Sequence, residues 1–278
     1  MKLENSRYVV QFIPRSAQCI HFIDKLSGYD IIWSGDSKYW ANHNPILFPM
    51  IGNTYSKKYM INGLEYSFGN HGVIRHMDFD LVSQNDDSLI LQVKANDWSK
   101  EQYPFNFTMN VKYTLADNTL LIDYEIINND EKDMPFIFGL HPAFAIDEDV
   151  SNYHLQFEKK EILTQLLNEN IQLEDKVITE NIDLSEEIFE KYPTLIYKDM
   201  VSDYVQLVSD KHNIEVGIKG YPYLAFWKKE EARFVCIEPW CGLGDSSEHH
   251  YDFYERPNMT ILKANENYRT SYYIKYNK

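Results

Sequence analysis

Apolar and polar side chains alternate along much of this chain. In NFTMNVKYTLADNTLLIDYEIINND, Phe107, Met109, Val111, Tyr113 and Leu115 fall on one face, and after Ala116-Asp117-Asn118 the rhythm resumes at Leu120, Ile122, Tyr124 and Ile126. A period of two sends successive side chains to opposite faces of an extended strand, so the segment predicts a long antiparallel hairpin. The stretch YVQLVSDKHNIEVGIKG predicts a second, turning near residues 209–213. Further strands are expected at residues 8–13, 88–95, 224–227, 234–238 and 271–276. Helical periodicity is weak. Residues 185–191 predict one short helix, because acidic residues follow a capping serine there, and residues 37–40 predict a single turn. The segment 158–192, crowded with Glu, Asp and Asn, reads as strands joined by long loops. Many closely spaced strands with no Pro/Gly/Ser hinge predict an all-β chain, a single large antiparallel sandwich over residues 1–278.

Composition narrows the partners. Asp and Glu outnumber Lys and Arg by 42 to 27, a formal charge of −15, so clustered cations for nucleic acid or an anionic membrane are not expected. Three cysteines, Cys19, Cys236 and Cys241, make no disulfide framework and no paired zinc motif. The start, MKLENSRYVVQFIP, is too polar for a signal peptide, and no stretch has membrane-spanning length, so a reducing, cytoplasmic setting is expected. Whether the chain pairs as a homodimer is left open.

Chemistry concentrates in four stretches: NPILFPMIGN, HGVIRHMDFD, GLHPAF and FVCIEPWCG. Each sets a polar residue beside Pro or Gly and against bulky apolar neighbours, which fixes side-chain direction and shifts proton affinity. On a strand through 234–238, Phe234, Cys236 and Glu238 share one face. A carboxylate there is costly unless satisfied or used; the alternative is a buried Glu paired with an Arg. His141, inside FIFGLHPAF, reads by itself more readily as a hydrogen-bonded core residue than as a proton donor. Taken together, an imidazole and a carboxylate on separate strands, each followed by proline, are the minimum set for moving two protons. His71 and His76, five apart on a strand, would face opposite sides and share no metal ion, whereas His71 and Arg75 could share a face. His249-His250 reads as a solvated loop. Trp227 and Trp240 are candidates for stacking on the apolar face of a sugar.

The order LFPMIGN, HGVIR, FGLHPAF, YPYLAFW and CIEPWCG resembles the aldose 1-epimerase (galactose mutarotase-like) family, and within it the bacterial LacX-type branch. The resemblance implies an antiparallel supersandwich with a small-molecule sugar bound in an open cleft and neither cofactor nor metal. It places the catalytic pair at His141 and Glu238, with His71 assisting, and sugar contacts at Arg75, Asn53 and Trp227. Glu238 would take the anomeric proton while protonated His141 gives one to the ring oxygen, and Glu238 nearby would help keep His141 charged. Galactose-active members carry an Asn-Arg pair where this chain has Gly52-Asn53. Hexose-6-phosphate-specific members carry an acidic residue at the position of Tyr223. A sugar-6-phosphate epimerase and a non-catalytic sugar binder are therefore retained as alternatives. A glycoside hydrolase would need a second carboxylate, Asp78 or Asp245, near Glu238.

Overall fold

A computed structural model describes residues 1–167, 172–245 and 252–277, with the backbone alone at 173–176. The alternating segments become strands with the expected register. Phe107–Ala116 and Thr119–Asn128 pair along their whole length across the two-residue turn Asp117-Asn118, and their inward residues are buried. Tyr204–Val208 and Asn213–Gly217 form the second hairpin. The expected helix runs Glu186–Lys191, its first turn capped by the Ser185 hydroxyl, which accepts from the Ile188 amide at 3.2 Å.

Among the described residues most strands join one antiparallel sheet. From one edge its order is Ile46–Leu47, Gly139–Leu140, Phe234–Trp240, Tyr223–Trp227, Thr194–Lys198 and His154–Leu166. It continues through Tyr204–Val208, Asn213–Gly217, Asn267–Tyr276, Thr119–Asn128, Phe107–Ala116, Ser88–Lys94 and Asp80–Gln84. The segment leading into the edge strand Gly139–Leu140 packs face to face on strands far along this order. Tyr124 lies 5.1 Å from the ring of Phe138, and Phe136 lies 5.3 Å from Tyr268. The sheet thus folds back on itself around a shared aromatic core. Each fully buried Phe or Leu in it contributes roughly 1.5–3 kcal/mol. A smaller sheet, Lys2–Glu4, Tyr8–Phe12 and Cys19–Asp24, closes the far side, where Phe12 packs on Tyr113 and the Tyr113 hydroxyl donates to the Ala17 carbonyl at 2.7 Å.

Two expectations change. The segment 158–192 is not strands with long loops; most of it belongs to a hairpin of His154–Leu166 against Gln172–Asp183. Its outer strand is exposed at the consecutive residues Val177 and Ile178, and the exposed run 158–160 interrupts the inner strand before Leu163 and Leu166 turn inward, so no continuous alternation marks it. HGVIR is not a strand. His71 and Gly72 adopt left-handed backbone, and Ile74–His76 forms a single 3-10 turn.

Candidate active site

His141 and Glu238 meet because of strand register. Gly139 pairs with Trp240 and Ala143 pairs with Cys236, so the same register carried between them sets His141 opposite Glu238. The amide of Ile237 donating to the Pro142 carbonyl at 3.2 Å keeps that register through the break at His141. Directly opposed residues on neighbouring strands point to one face with Cβ atoms about 5 Å apart. The outcome is His141 Nε2 at 3.5 Å from Glu238 Oε2, both side chains almost fully buried. On the other side of the strand, Ala225 pairs with Glu238, and its small side chain leaves room above the carboxyl.

These two residues line a cavity of about 470 Å³ whose walls include Trp40, Asn53, His71, Arg75, Trp227 and Asp245. Every sequence-predicted site residue is therefore among those lining it. Trp40 stacks on His141 with ring centroids 4.7 Å apart, and Trp227 and His71 approach the same imidazole edge-on at 5.5 and 5.6 Å. Trp240 also lines the cavity.

His71 is held by its loop. Its backbone amide donates to the Gly52 carbonyl at 2.7 Å, and the Gly52 amide donates back to His71 Nδ1 at 3.0 Å. The accepting Nδ1 leaves the ring proton on Nε2. Burial, with Arg75 nearby, pushes the His71 pKa down to about 3, so the ring is a neutral donor. Arg75 gives one bond to the Asn70 carbonyl at 3.3 Å and is half-buried.

Burial governs the protons of the central pair. It raises Glu238 well above the usual carboxylate range. It lowers His141 well below the usual histidine range, with His71 and Arg75 pushing the same way. This corrects the expectation that Glu238 keeps His141 charged. In the free protein the pair holds one proton, and the cost of burying charge places it on Glu238.

The other candidates separate. Asp78 is exposed on the surface in an ion pair with Arg15 at 2.6 Å, so it is no partner for Glu238. Asp245 reaches the cavity but is ion-paired to buried Arg256 and accepts from the Tyr55 amide at 3.3 Å. His76 is exposed, 6.3 Å from the ring of Trp98. His249 and His250 lie outside the described residues. Sequence reasoning missed Trp40 as a wall of the site, and also Thr194 and Ile196, which arrive by cross-strand pairing with Trp227 and Ala225. The period of two in TLIYK was their available signal. For a metal, His141, Cys236 and Glu238 offer ligand atoms all within 4.8 Å of one another.

The chain belongs to the aldose 1-epimerase family, whose model matches residues 1–275. It is similar to the plasmid-encoded protein LacX of Lactococcus lactis subsp. lactis, at 28% identity over 99% of this chain and 98% of that protein. Its fold matches a galactose mutarotase-like protein from Lactobacillus casei ATCC 334 with a TM-score of 0.91 and 27% identity, covering 100% of this chain and 99% of the other. A galactose mutarotase related enzyme from Lactobacillus acidophilus gives the same TM-score at 24% identity, covering 100% and 97%. No helix among the described residues is long and apolar enough to cross a membrane.

Proposed function

We propose that the protein interconverts the α and β anomers of an aldose by acid–base opening and reclosure of the sugar ring. The observation that carries the reading is the His141–Glu238 contact at 3.5 Å, buried at the cavity floor and aligned by strand register. An entering sugar brings hydroxyls to Glu238 Oε2 and His141 Nδ1, buried atoms that otherwise have no hydrogen-bond partner. Those bonds offset the cost of charge, so the shared proton moves from Glu238 to His141. Glu238 then takes the anomeric proton while His141 gives its own to the ring oxygen, and the C1–O5 bond opens to the aldehyde. Rotation about C1–C2 and reclosure with roles reversed yield the other anomer. His71 Nε2–H and Arg75 are placed to bind sugar oxygens, Asn53 adds an amide at the rim, and Trp227 packs on the ring. Neither cofactor nor metal enters these steps. The free thiols Cys19, Cys236 and Cys241 agree with a reducing, cytoplasmic setting.

A sugar-6-phosphate is the second reading, favoured by one observation: no carboxylate among the described residues forms an ion pair with the Arg75 guanidinium in the cavity wall. The test is equilibration of freshly dissolved free and phosphorylated aldoses, followed by polarimetry or NMR with and without the protein. Acceleration of none of them sinks the proposal.

The proton inventory sets a pH profile. Turnover needs one proton on the pair. A second proton, taken up at low pH, removes the base; loss of the only proton, at high pH, removes the acid. With His141 lowered and Glu238 raised, kcat/KM is expected to be bell-shaped. Its acid limb should fall below the ordinary histidine range and its alkaline limb above the ordinary carboxylate range. A single limb centred at an unperturbed histidine value would contradict the assigned pair.

A further inference from the structure

Cys236 has no part in ring opening, yet it lies against both groups that do. It sits two residues before Glu238 on the same strand face, and register sets His141 across from Glu238 and Ala143 across from Cys236. Its thiol is fully buried beneath Trp40 and Trp227 in a small apolar cluster. Three donors of three kinds thus converge on one point from two neighbouring strands.

We infer that His141, Cys236 and Glu238 form a site for Zn²⁺, and that the ion's occupancy and sugar turnover exclude each other. Zinc favours nitrogen, sulfur and carboxylate oxygen in tetrahedral array, with bonds of about 2.0–2.3 Å, so neighbouring ligand atoms sit roughly 3.3–3.8 Å apart. The His141–Glu238 separation of 3.5 Å already matches one tetrahedron edge. All three donors lie within 4.8 Å of each other, so a side-chain adjustment of about 1–1.5 Å at most closes the rest. Glu238 Oε2 is buried with only the long contact to His141 Nε2 and no close hydrogen bond, so an ion would satisfy a group that the protein leaves poorly paired. The open side of the cavity supplies the fourth position, for water. The surplus of acidic residues draws cations toward the chain.

The same geometry limits affinity. Dedicated zinc sites hold the second histidine nitrogen with an outer hydrogen bond, whereas Nδ1 of His141 has no partner. Binding is therefore reversible and inhibitory. The ion occupies the lone pairs that Glu238 and His141 need for proton transfer.

Zinc binding to the full chain, stripped with a chelator, is measured by calorimetry, and Co²⁺ serves as a spectroscopic probe. One ion per chain in the micromolar range or tighter is expected, with a thiolate-to-cobalt charge-transfer band. Cys236→Ala and Cys236→Ser should each weaken binding by about tenfold or more, while the double variant His249→Ala/His250→Ala retains it. No binding below millimolar zinc, absence of the thiolate band, or binding unaffected at Cys236 and lost at His249/His250 overturns the site. The cobalt band on the unaltered chain decides the matter if the Cys236 variants fail to fold. Inhibition of anomer exchange by zinc, reversed by chelator, tests the exclusion, which rests on the mutarotase reading. A protein that binds zinc here yet moves no anomer keeps the site and loses the proposed activity; unimpeded turnover with zinc bound overturns the exclusion.

Discussion

Glu238→Gln is expected to reduce the rate of anomer exchange per bound sugar by about 10³-fold, within the range that positioned acid–base groups contribute. The substitution preserves shape and hydrogen-bonding capacity while removing the ability to accept a proton. Glu238 is 1% exposed and burial favours its neutral form, so a neutral amide in its place leaves the core almost unchanged. Sugar affinity, read by calorimetry, should change little, because the amide still bonds to a hydroxyl at the cavity floor. Exchange is read by saturation transfer between anomeric protons, corrected for the uncatalysed rate. A variant that loses sugar binding but keeps its rate per bound molecule would make this a binding protein whose carboxyl only anchors ligand, the main rival to a catalyst.

Gly72→Ala should have the second large effect, on stability and rate together. Gly72 has φ of +73°, and an added Cβ would lie 2.2 Å from the Phe48 carbonyl oxygen and 2.6 Å from Pro49 Cδ. Neither obstacle is the end of a flexible side chain, so backbone must move. The left-handed conformation costs alanine roughly 1 kcal/mol and the overpacking about 1–3 kcal/mol more, for a loss of about 2–4 kcal/mol in urea unfolding. The displaced segment carries His71, whose ring is positioned by Gly52, and a shift near 1 Å in such a group costs about 10²-fold in turnover. Gly28→Ala is the matched control: φ is +74° with nothing within 4 Å, so it bears the conformational cost alone. Equal losses for the two substitutions would remove the Phe48–Gly72 contact as the device that places His71.

Legibility in the sequence followed solvent exposure. The hairpin Phe107–Ala116 with Thr119–Asn128 was readable because one face is buried throughout. The hairpin His154–Leu166 with Gln172–Asp183 was not, because the exposed run 158–160 and the consecutive exposed residues Val177 and Ile178 break the period of two. The helix Asp97–Gln102 escaped notice as well; its six residues are too few to show a periodicity, and the reciprocal capping by Asn96 and Ser99 was its available mark. At the site, His141 and Glu238 stood out as polar residues set among apolar ones and followed by proline. Trp40, Thr194 and Ile196 did not, since their place depends on which strands become neighbours, a long-range fact that local pattern does not carry. The direction of proton sharing was misjudged for a related reason: the depth of burial that decides it emerges only when the sheet closes.

Because the two reacting groups face each other across one register held by ladder pairs on both sides of His141, the gap between them is set mainly by the backbone lattice. Loosening of the cavity rim on warming leaves that gap untouched. Heat inactivation should accordingly coincide with the cooperative melting of the whole body, showing no earlier phase in which a still-compact molecule has already gone silent.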